Sequence, residues 1–280
     1  MTTAYRIWEM MERSKTGPHI DEDDFLPKLF TPTLKKLIKK YEITYDPETP
    51  VPADDAMADR IWQAGWDLFR EVGVYNTDSH RIIQVTDEEI KEALYMAKDR
   101  YWVGEGKDAK LFKHRQVEDT EPPFCIFSPD ITVDEHLHHS MCAAYLKEPL
   151  LDGFCAPILE DAVGQLIESG GPTEINGCIQ HIYNMRAAAR QLGRPGTFFV
   201  AVGTAEHDAG QIAVSDNAWG VRTTDARLVG SLTEFKTADT LLNRSVHYAQ
   251  YGCYTGNLTG PIYGGWCGGS EGVAVTLVAY

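Results

Sequence analysis

From residue 151 onward, segments with the pattern of a β-strand alternate with segments with the pattern of an α-helix. Short apolar runs rich in β-branched and aromatic residues indicate buried strands, and longer runs with apolar residues at helical spacing indicate helices. The predicted order is strand DGFCAPIL, helix TEINGCIQHIYNMRAAARQLG, strand TFFVAVG, strand RLVGSLTEF, helix ADTLLNRSVHYAQYG, strand GCYTGNL and helix SEGVAVTLVAY. Strands that alternate with helices predict parallel βα units, so the expected fold class is α/β.

The first 150 residues follow a different pattern and are predicted to form a helical region with short strands. Thr31 and Pro32 are placed as cap and first-turn proline of the helix TPTLKKLIKKYEI, and Gly73 ends the helix DDAMADRIWQAGWDLFREVG. Capping boxes that begin at Thr86 and Thr132 predict two further helices, and LFKHRQV and PFCIFSPDI are predicted strands. The two predicted domains are therefore residues 1–150 and 151–280.

The second domain is short for the barrel that its pattern suggests. A closed (β/α)8 barrel takes roughly 250 residues, whereas about 130 remain after residue 150, enough for about four βα units. Half a barrel would expose two open parallel edges and an apolar inner face. The expectation is a TIM-type barrel behind a helical N-terminal region, with only about the first half of the barrel present.

Charge and composition exclude several classes of partner and location. The formal net charge of -15 disfavours nucleic acids and anionic membranes, because the long-range field repels polyanions. The N-terminus MTTAYRIWEMMERSKTG lacks the apolar core of a signal peptide, and no later run reaches the roughly 18 apolar residues that span a bilayer. The six cysteines are widely spread without a CxxC motif, so a cytoplasmic, reduced protein is predicted.

Several segments resemble one family, the monomethylamine:corrinoid methyltransferases. The most specific are YNTDSHRI, within residues 71–90, and PIYGGWCGGSE, at residues 261–271. Weaker likeness continues through LGRPG, the turn at Gly210 and the segment TTDARLVGSLTEFK, so that the resemblance runs in order over essentially the whole chain. The chain is thereby similar to a divergent, apparently C-terminally truncated member of this family.

The resemblance implies a fold, a reaction and a partner. It implies a TIM barrel behind a helical region, a homo-oligomer, and methyl transfer in methanogenesis from a methylated amine to the Co(I) of a separate corrinoid protein. The corrinoid is then carried by that partner, and this chain is expected to bind no cofactor directly. Chains of the family continue past the position of Tyr280, and their genes carry an in-frame amber codon read as pyrrolysine. An ordinary translation that stops at such a codon would account for the end of this chain.

Two positions depart from the pattern of the family. The pyrrolysine of the family matches Val200 or Ala201 here, and neither residue can form an adduct with an amine. The substrate-binding acid of the family matches Leu258. A quaternary or otherwise preactivated methyl donor would need no such adduct. Aromatic residues near the same loops could enclose its cation, with core packing as the alternative: Trp219, Tyr254, Tyr263 and Trp266.

Three residues are predicted to act in catalysis. Glu206 and His207 follow the predicted strand TFFVAVG, with Asp208 beside them, at the end of the strand where barrel enzymes keep their chemistry. Glu206 also lies close to an acid of the family in this loop. Glu271, after the glycine-rich turn, matches another acid of the family. The alternatives are a solvated polar loop for the first two and a favourable charge in the first turn of a helix for Glu271.

Three further residues are predicted to bind substrate, namely Tyr254, Trp266 and Glu234. Tyr254 and Trp266 belong to the aromatic set described above. Glu234 lies in the segment TTDARLVGSLTEFK, which carries part of the resemblance. The glycines of GGWCGGS are predicted to let the backbone approach a bulky ligand or to allow positive φ, since the turn lacks the residues of a phosphate-binding loop.

No metal site is predicted. Glu135 and His138 are three residues apart on one predicted helix face, but a di-iron site requires two such pairs and only one is present. Cys253 and Cys267 are predicted to be small buried residues, because no histidine partner for a catalytic thiol can be identified.

Three functions remain open at this stage. The first is a methylamine:corrinoid methyltransferase, with monomethylamine as donor by resemblance, or a relative without pyrrolysine that acts on another, quaternary amine. The second is a non-catalytic remnant that only binds the corrinoid protein. The third is a barrel enzyme for another small amine or acid, which rests on the fold alone.

Overall fold

A computed structural model of the chain describes residues 3–116, 118–129, 131–201, 207–215 and 220–280. The α-helices are α1 (Thr3–Thr16), α2 (Glu22–Asp24), α3 (Thr31–Lys40), α4 (Asp55–Val72), α5 (Asp87–Met96), α6 (Glu135–Leu146), α7 (Pro172–Gln191), α8 (Asp208–Ala213), α9 (Asp239–Tyr251) and α10 (Ser270–Ala279). A π-helical segment, Phe25–Phe30, joins α2 to α3, and a 3-10 turn covers Gly106–Asp108.

The strands are short, and the longest within the described residues contain five residues each. They are β1 (Val74–Asn76), β2 (Arg81–Ile83), β3 (Arg100–Val103), β4 (Lys110–Lys113), β5 (Ile126–Phe127), β6 (Thr132–Val133), β7 (Gly153–Phe154), β8 (Ile158–Leu159), β9 (Asp161–Ala162), β10 (Gln165–Leu166), β11 (Phe198–Ala201), β12 (Ala226–Gly230), β13 (Lys236–Thr237) and β14 (Tyr254–Leu258).

The chain divides into two compact units, each built from separate stretches of sequence. The first contains Met1–Ala97, Gly230–Leu242 and Leu258–Tyr280, and the second contains Lys98–Val229 and Asn243–Asn257. The domain boundary predicted at residue 150 does not coincide with this division and stays a prediction.

The first unit is a set of helices around a three-stranded sheet in the order β13-β1-β2. Its strand β1 pairs in parallel with β13 and antiparallel with β2. The core is built mainly from aliphatic and aromatic side chains of α3, α4, α10 and the adjoining segments: Phe25, Phe30, Leu34, Leu37, Leu68, Tyr75, Phe235 and Val275. Helix α10 packs closely on α4. At Gly65 of α4 the two helices are so near that an added Cβ atom would lie only 2.7 Å from a methyl carbon of Val278.

Local signals set the ends of two helices of this unit, and the end of α4 at Gly73 and the capping box at Thr86 are confirmed. Asp54 caps α4 by accepting a hydrogen bond from the backbone nitrogen of Met57, and Gly73 ends it with a φ of 70°. The predicted capping box at the start of α5 forms between Thr86 and Glu89. The cap predicted at Thr31 is wrong, because the chain enters α3 from the π-helical segment and the Thr31 hydroxyl donates to the carbonyl of Trp266 at 3.0 Å.

The second unit contains a five-stranded sheet in the order β14-β12-β11-β7-β5. Strand β11 is parallel to both of its neighbours, and β5 is parallel to β7. Side chains alternate across it: Phe198 joins a cluster with Val103 and Ala226, whereas Phe199 and Phe154 pack against the buried residues of α6 and α7. This parallel sheet with covering helices confirms the predicted α/β class.

The second capping box, predicted at Thr132, is wrong. Helix α6 begins at Glu135 and its N-cap residue, Asp134, makes no capping hydrogen bond. The carboxylate of Glu135 instead accepts from the backbone nitrogen of Val163 at 2.7 Å. The side chain of Glu135, which the local motif predicts to cap the helix, therefore binds a backbone group that is distant in sequence.

None of the six cysteines forms a disulfide bond. In the described part of the chain, no helix combines the length and the apolar character needed to cross a bilayer.

Candidate functional site

Strand β11 leads towards the loop in which the sequence analysis placed catalytic residues. Ligands of parallel α/β folds bind outside the carboxyl ends of the strands, and helix α8 starts after the carboxyl end of β11. Glu206 and Trp219 lie outside the described residues. His207 is described and is the N-cap residue of α8.

His207, Asp208 and Asn243 form a hydrogen-bonded row at this position. The Nδ1 atom of His207 lies 2.7 Å from Oδ1 of Asp208. The side-chain nitrogen of Asn243 donates to the other carboxylate oxygen of Asp208 at 2.9 Å. The side chain of Asp208 is 14% exposed and that of His207 is 46% exposed. The aspartate thus occupies one ring nitrogen, while the half-exposed ring leaves the other available for a ligand.

Glu174, in the first turn of α7, holds the start of α8. Its carboxylate is fully buried and accepts hydrogen bonds from the backbone nitrogens of Gly170 and Gly210, the latter at 2.8 Å. Gly210 permits this approach, since an added Cβ atom would lie 2.6 Å from the sulfur of Cys178. Sequence reasoning missed Glu174, because an acid in a first helical turn gives no signal of a partner 36 residues away.

A buried polar group anchors the other end of α8. The Tyr248 hydroxyl donates to Gln211 at 3.1 Å, and Nε2 of His247 lies 2.7 Å from the hydroxyl of Ser215. Burial raises the pKa of Tyr248 despite the neighbouring Arg227. Burial and the same arginine lower the pKa of His247. Both effects favour neutral side chains here, so the group acts as a structural support for α8.

Tyr254, a predicted substrate-binding residue, lies at the other end of the sheet. It is the first residue of β14, and its backbone nitrogen donates to the carbonyl of Asp225, just before β12. Its hydroxyl donates to the carbonyl of Trp102, and its ring packs edge-on against Tyr101. The grouping of Tyr254 with the loop after β11 is therefore corrected, because its strand places it at the amino end.

The glycine-rich turn belongs to the first unit and presents two aromatic side chains. Its backbone closes on itself, with the nitrogen of Gly264 donating to the carbonyl of Gly268 at 2.8 Å and both glycines at positive φ. Tyr263 and Trp266 are exposed. The turn therefore holds two rings in contact with solvent, as the prediction for Trp266 requires.

Glu234 lies beneath this turn and is 2% exposed. Its carboxylate is 3.5 Å from the backbone nitrogen of Ile262 and 3.6 Å from the sulfur of Cys267, and within the described part of the chain it forms no ion pair. Burial, with a contribution from Glu234, raises the pKa of the Cys267 thiol to about 11, so the sulfur acts as a weak donor. Glu234 and Phe235 both have positive φ, a strained arrangement that clusters at functional sites.

Glu271 has a structural contact in the first unit. It lies in the first turn of α10, and its carboxylate accepts from the backbone nitrogen of Tyr45 at 3.0 Å. This contact ties the loop before α4 to the start of α10. A catalytic role for Glu271 stays a prediction.

Glu135 and His138 do not converge on a common ion. Nε2 of His138 lies 2.9 Å from the carbonyl of Pro157, and its Nδ1 is 3.3 Å from the side-chain nitrogen of Asn184. Burial lowers the pKa of His138. Across the described residues, no group of three or more histidine, cysteine or acidic side chains is arranged to hold a metal.

Comparisons with known proteins give one consistent result. The family model described as "Monomethylamine methyltransferase MtmB" matches residues 5–280. The chain is 26% identical over 277 residues to MtmB2 of Methanosarcina acetivorans and to MtmB of Methanosarcina mazei, covering 99% of this chain and 60% of each relative. It therefore spans about 60% of the length of these curated relatives.

Solved structures agree with the sequence matches. The crystal structure of the Methanosarcina barkeri monomethylamine methyltransferase MtmB superposes with a TM-score of 0.93 at 25% identity, covering 98% of this chain and 60% of that one. The crystal structure of a hydroxylamine complex of MtmB superposes equally well, with the same identity and coverage.

Proposed function

Because this chain belongs to the monomethylamine methyltransferase MtmB family, we propose that it takes part in methyl transfer from a methylated amine to the Co(I) of a separate corrinoid protein. The single observation that carries the proposal is the match of the family model to residues 5–280, which leaves almost no part of the chain unaccounted for. Monomethylamine is the proposed donor, since it is the amine in the names of the relatives. The corrinoid is then a co-substrate supplied by the partner protein.

The proposal extends to the architecture and the assembly. We propose that the parallel sheet of the second unit is part of a (β/α)8 barrel and that the functional protein is a homo-oligomer. The register of β11 between β12 and β7 and the alternation of side chains across the sheet are compatible with a barrel wall.

The chemistry of Glu234 supports a cationic substrate. Methylamine is an ammonium ion at neutral pH, and a carboxylate that is nearly buried without an ion pair gains most from such a partner. The exposed rings of Tyr263 and Trp266 are of the type that attracts ammonium groups. Glu234 and Trp266 therefore stay proposed substrate-binding residues, and Glu206, His207 and Glu271 stay proposed catalytic residues.

A second candidate substrate is a quaternary amine. Val200, one of the two residues that match the pyrrolysine of the family, packs beside the apolar cluster of Val103, Phe198 and Ala226. Leu258, at the position of the substrate-binding acid, is exposed and apolar. Two apolar replacements favour a donor that needs neither an adduct nor a second carboxylate.

Methylation of the corrinoid tests both candidates. The chain is incubated with the cognate corrinoid protein in the Co(I) state and with either monomethylamine or tetramethylammonium, and loss of the Co(I) absorption is followed. Glu234→Gln should raise the KM for the active amine by about tenfold, which is the loss of affinity expected when one charge-assisted hydrogen bond is removed. Glu88→Gln, an exposed acid of the first unit, is the matched control. Absence of turnover with every methylated amine would refute the proposed function.

A further inference from the structure

We propose that Nε2 of His207 accepts a hydrogen bond from the ammonium group of the methyl donor, and that Asp208 and Asn243 are positioning residues that keep this nitrogen an acceptor. The inference rests on the proposed function and concerns one contact of the donor, the one made by His207. The first observation behind it is the row of Asn243, Asp208 and His207, joined at 2.9 and 2.7 Å.

The row fixes the tautomer of the imidazole. A carboxylate only accepts hydrogen bonds, so Nδ1 of His207 carries the proton that points to Asp208, and in the neutral ring Nε2 then has the free lone pair. Asn243 donates to the second oxygen of Asp208 and so restricts the rotation of the carboxylate. The three residues thus produce an acceptor of defined direction.

The position of the ring suits a substrate contact. His207 follows the carboxyl end of β11 and is 46% exposed, so a small cation can reach its outer nitrogen. The start of α8 is held by the buried carboxylate of Glu174 through the nitrogen of Gly210. A side chain that is both accessible and fixed by its own helix can orient a substrate with little loss of entropy on binding.

An acceptor is the group that this substrate requires. Methylammonium has three N–H donors and no lone pair, so a protonated imidazole would repel it and a neutral one with a free Nε2 can bind it. During transfer the C–N bond breaks and its electron pair passes to nitrogen, while the methyl carbon bonds to the cobalt, which is oxidised from Co(I) to Co(III). The leaving group is ammonia, which still donates to Nε2, so the histidine neither gains nor loses a proton.

Steady-state kinetics with the 280-residue chain and its corrinoid protein test the contact. His207→Phe should raise the KM for monomethylamine about tenfold or more with a smaller change in kcat. The KM of His207→Gln should lie between those of His207→Phe and the wild type, because the amide oxygen can accept a hydrogen bond from the ammonium group. Asp208→Asn should also raise the KM for monomethylamine, since this variant lacks the carboxylate that fixes the tautomer of His207. With a tetramethylammonium donor, which has no N–H, the same variants should leave KM unchanged.

The control is His136→Gln, which replaces a more exposed histidine on α6 that lies 3.7 Å from the carboxylate of Asp134. This variant should behave like the wild type. An unchanged KM for monomethylamine in His207→Phe, with normal wild-type turnover, would overturn the role of His207 and leave the proposed function intact.

Nitrogen-15 NMR of the histidine rings provides a test without turnover. In the free protein, the Nδ1 of His207 should have the shift of a protonated ring nitrogen, and its Nε2 signal should move upfield as methylammonium chloride is added. Asp208→Asn should alter the tautomer signature before any ligand is added. If the wild type methylates no corrinoid but the His207 signal responds, the proposed function fails and the binding contact stands. A signal that does not respond overturns the contact.

Discussion

Replacing the buried His181 with leucine should stabilise the chain, and the gain should increase as the pH falls. His181 on α7 is 1% exposed, and its two ring nitrogens have no hydrogen-bond partner among the described residues. Its ring lies 4.9 Å from that of His138. Burial, together with this second histidine, lowers the pKa of His181 from 6.5 to about 3.

The magnitude follows from proton binding by the unfolded chain. Below pH 6.5 the unfolded state protonates His181 and the folded state does not, so the free energy of unfolding decreases as the pH falls from 6.5 towards 3. Well below pH 6.5 each pH unit costs about 1.4 kcal/mol. Because the unfolded side chain is already half protonated at pH 6.5, the loss between pH 6.5 and pH 4.5 is about 2 kcal/mol. Leucine does not titrate, and it also removes two unpartnered nitrogens, whose burial costs about 1 to 3 kcal/mol each.

Urea unfolding followed by circular dichroism at pH 7.5, 6.5, 5.5 and 4.5 measures the effect. The difference in free energy of unfolding between His181→Leu and the wild type should grow by about 2 kcal/mol from pH 6.5 to pH 4.5. Ile182→Leu, at the adjacent buried position of α7, is the control for repacking and should keep the pH dependence of the wild type. Parallel curves for His181→Leu and the wild type would refute the reasoning, because they would mean that the folded chain protonates His181 as readily as the unfolded chain does.

Three further substitutions test individual contacts. Glu89→Gln should cost about 2 kcal/mol at pH 7, measured by urea unfolding. Arg13 and the α5 cap lower the pKa of Glu89 to about 2, so the difference in free energy of unfolding between the variant and the wild type should shrink as the pH falls from 4.5 towards 2. A difference that stays constant over this range would contradict the prediction. Gly272→Ala should lower Tm with a loss of about 3 kcal/mol, because the new Cβ atom would lie 1.8 Å from the carbonyl oxygen of Cys267. A raised Tm would mean that helix propensity outweighs the clash. Glu174→Gln should cost about 2 kcal/mol in urea unfolding, since an amide cannot accept from both backbone nitrogens, and an unchanged midpoint would exclude this contact.

The candidate site was only partly predictable from the sequence. His207 could be named because it follows a recognisable strand, and its partner Asp208 is the next residue. Asn243 and Glu174 could not be named, because they lie 35 and 36 residues from the atoms that they contact. Tyr254 was grouped with the wrong end of the sheet, since the sequence shows a residue beside a turn but not which end of the neighbouring strand it meets.

The sequence by itself determined most of the longer helices, several strands of the parallel sheet and the α/β class. Apolar periodicity and capping residues act over a few positions, so Gly73 and Thr86 mark helix ends without help from the rest of the fold. The tertiary structure decided which polar side chains meet. The Thr31 hydroxyl donates to a carbonyl of the glycine-rich turn, and the Glu135 carboxylate accepts from the backbone nitrogen of Val163. These contacts replace the helix caps that the local motifs predict. Such contacts depend on strand register and helix packing, which join residues far apart in the chain, and no local pattern encodes them.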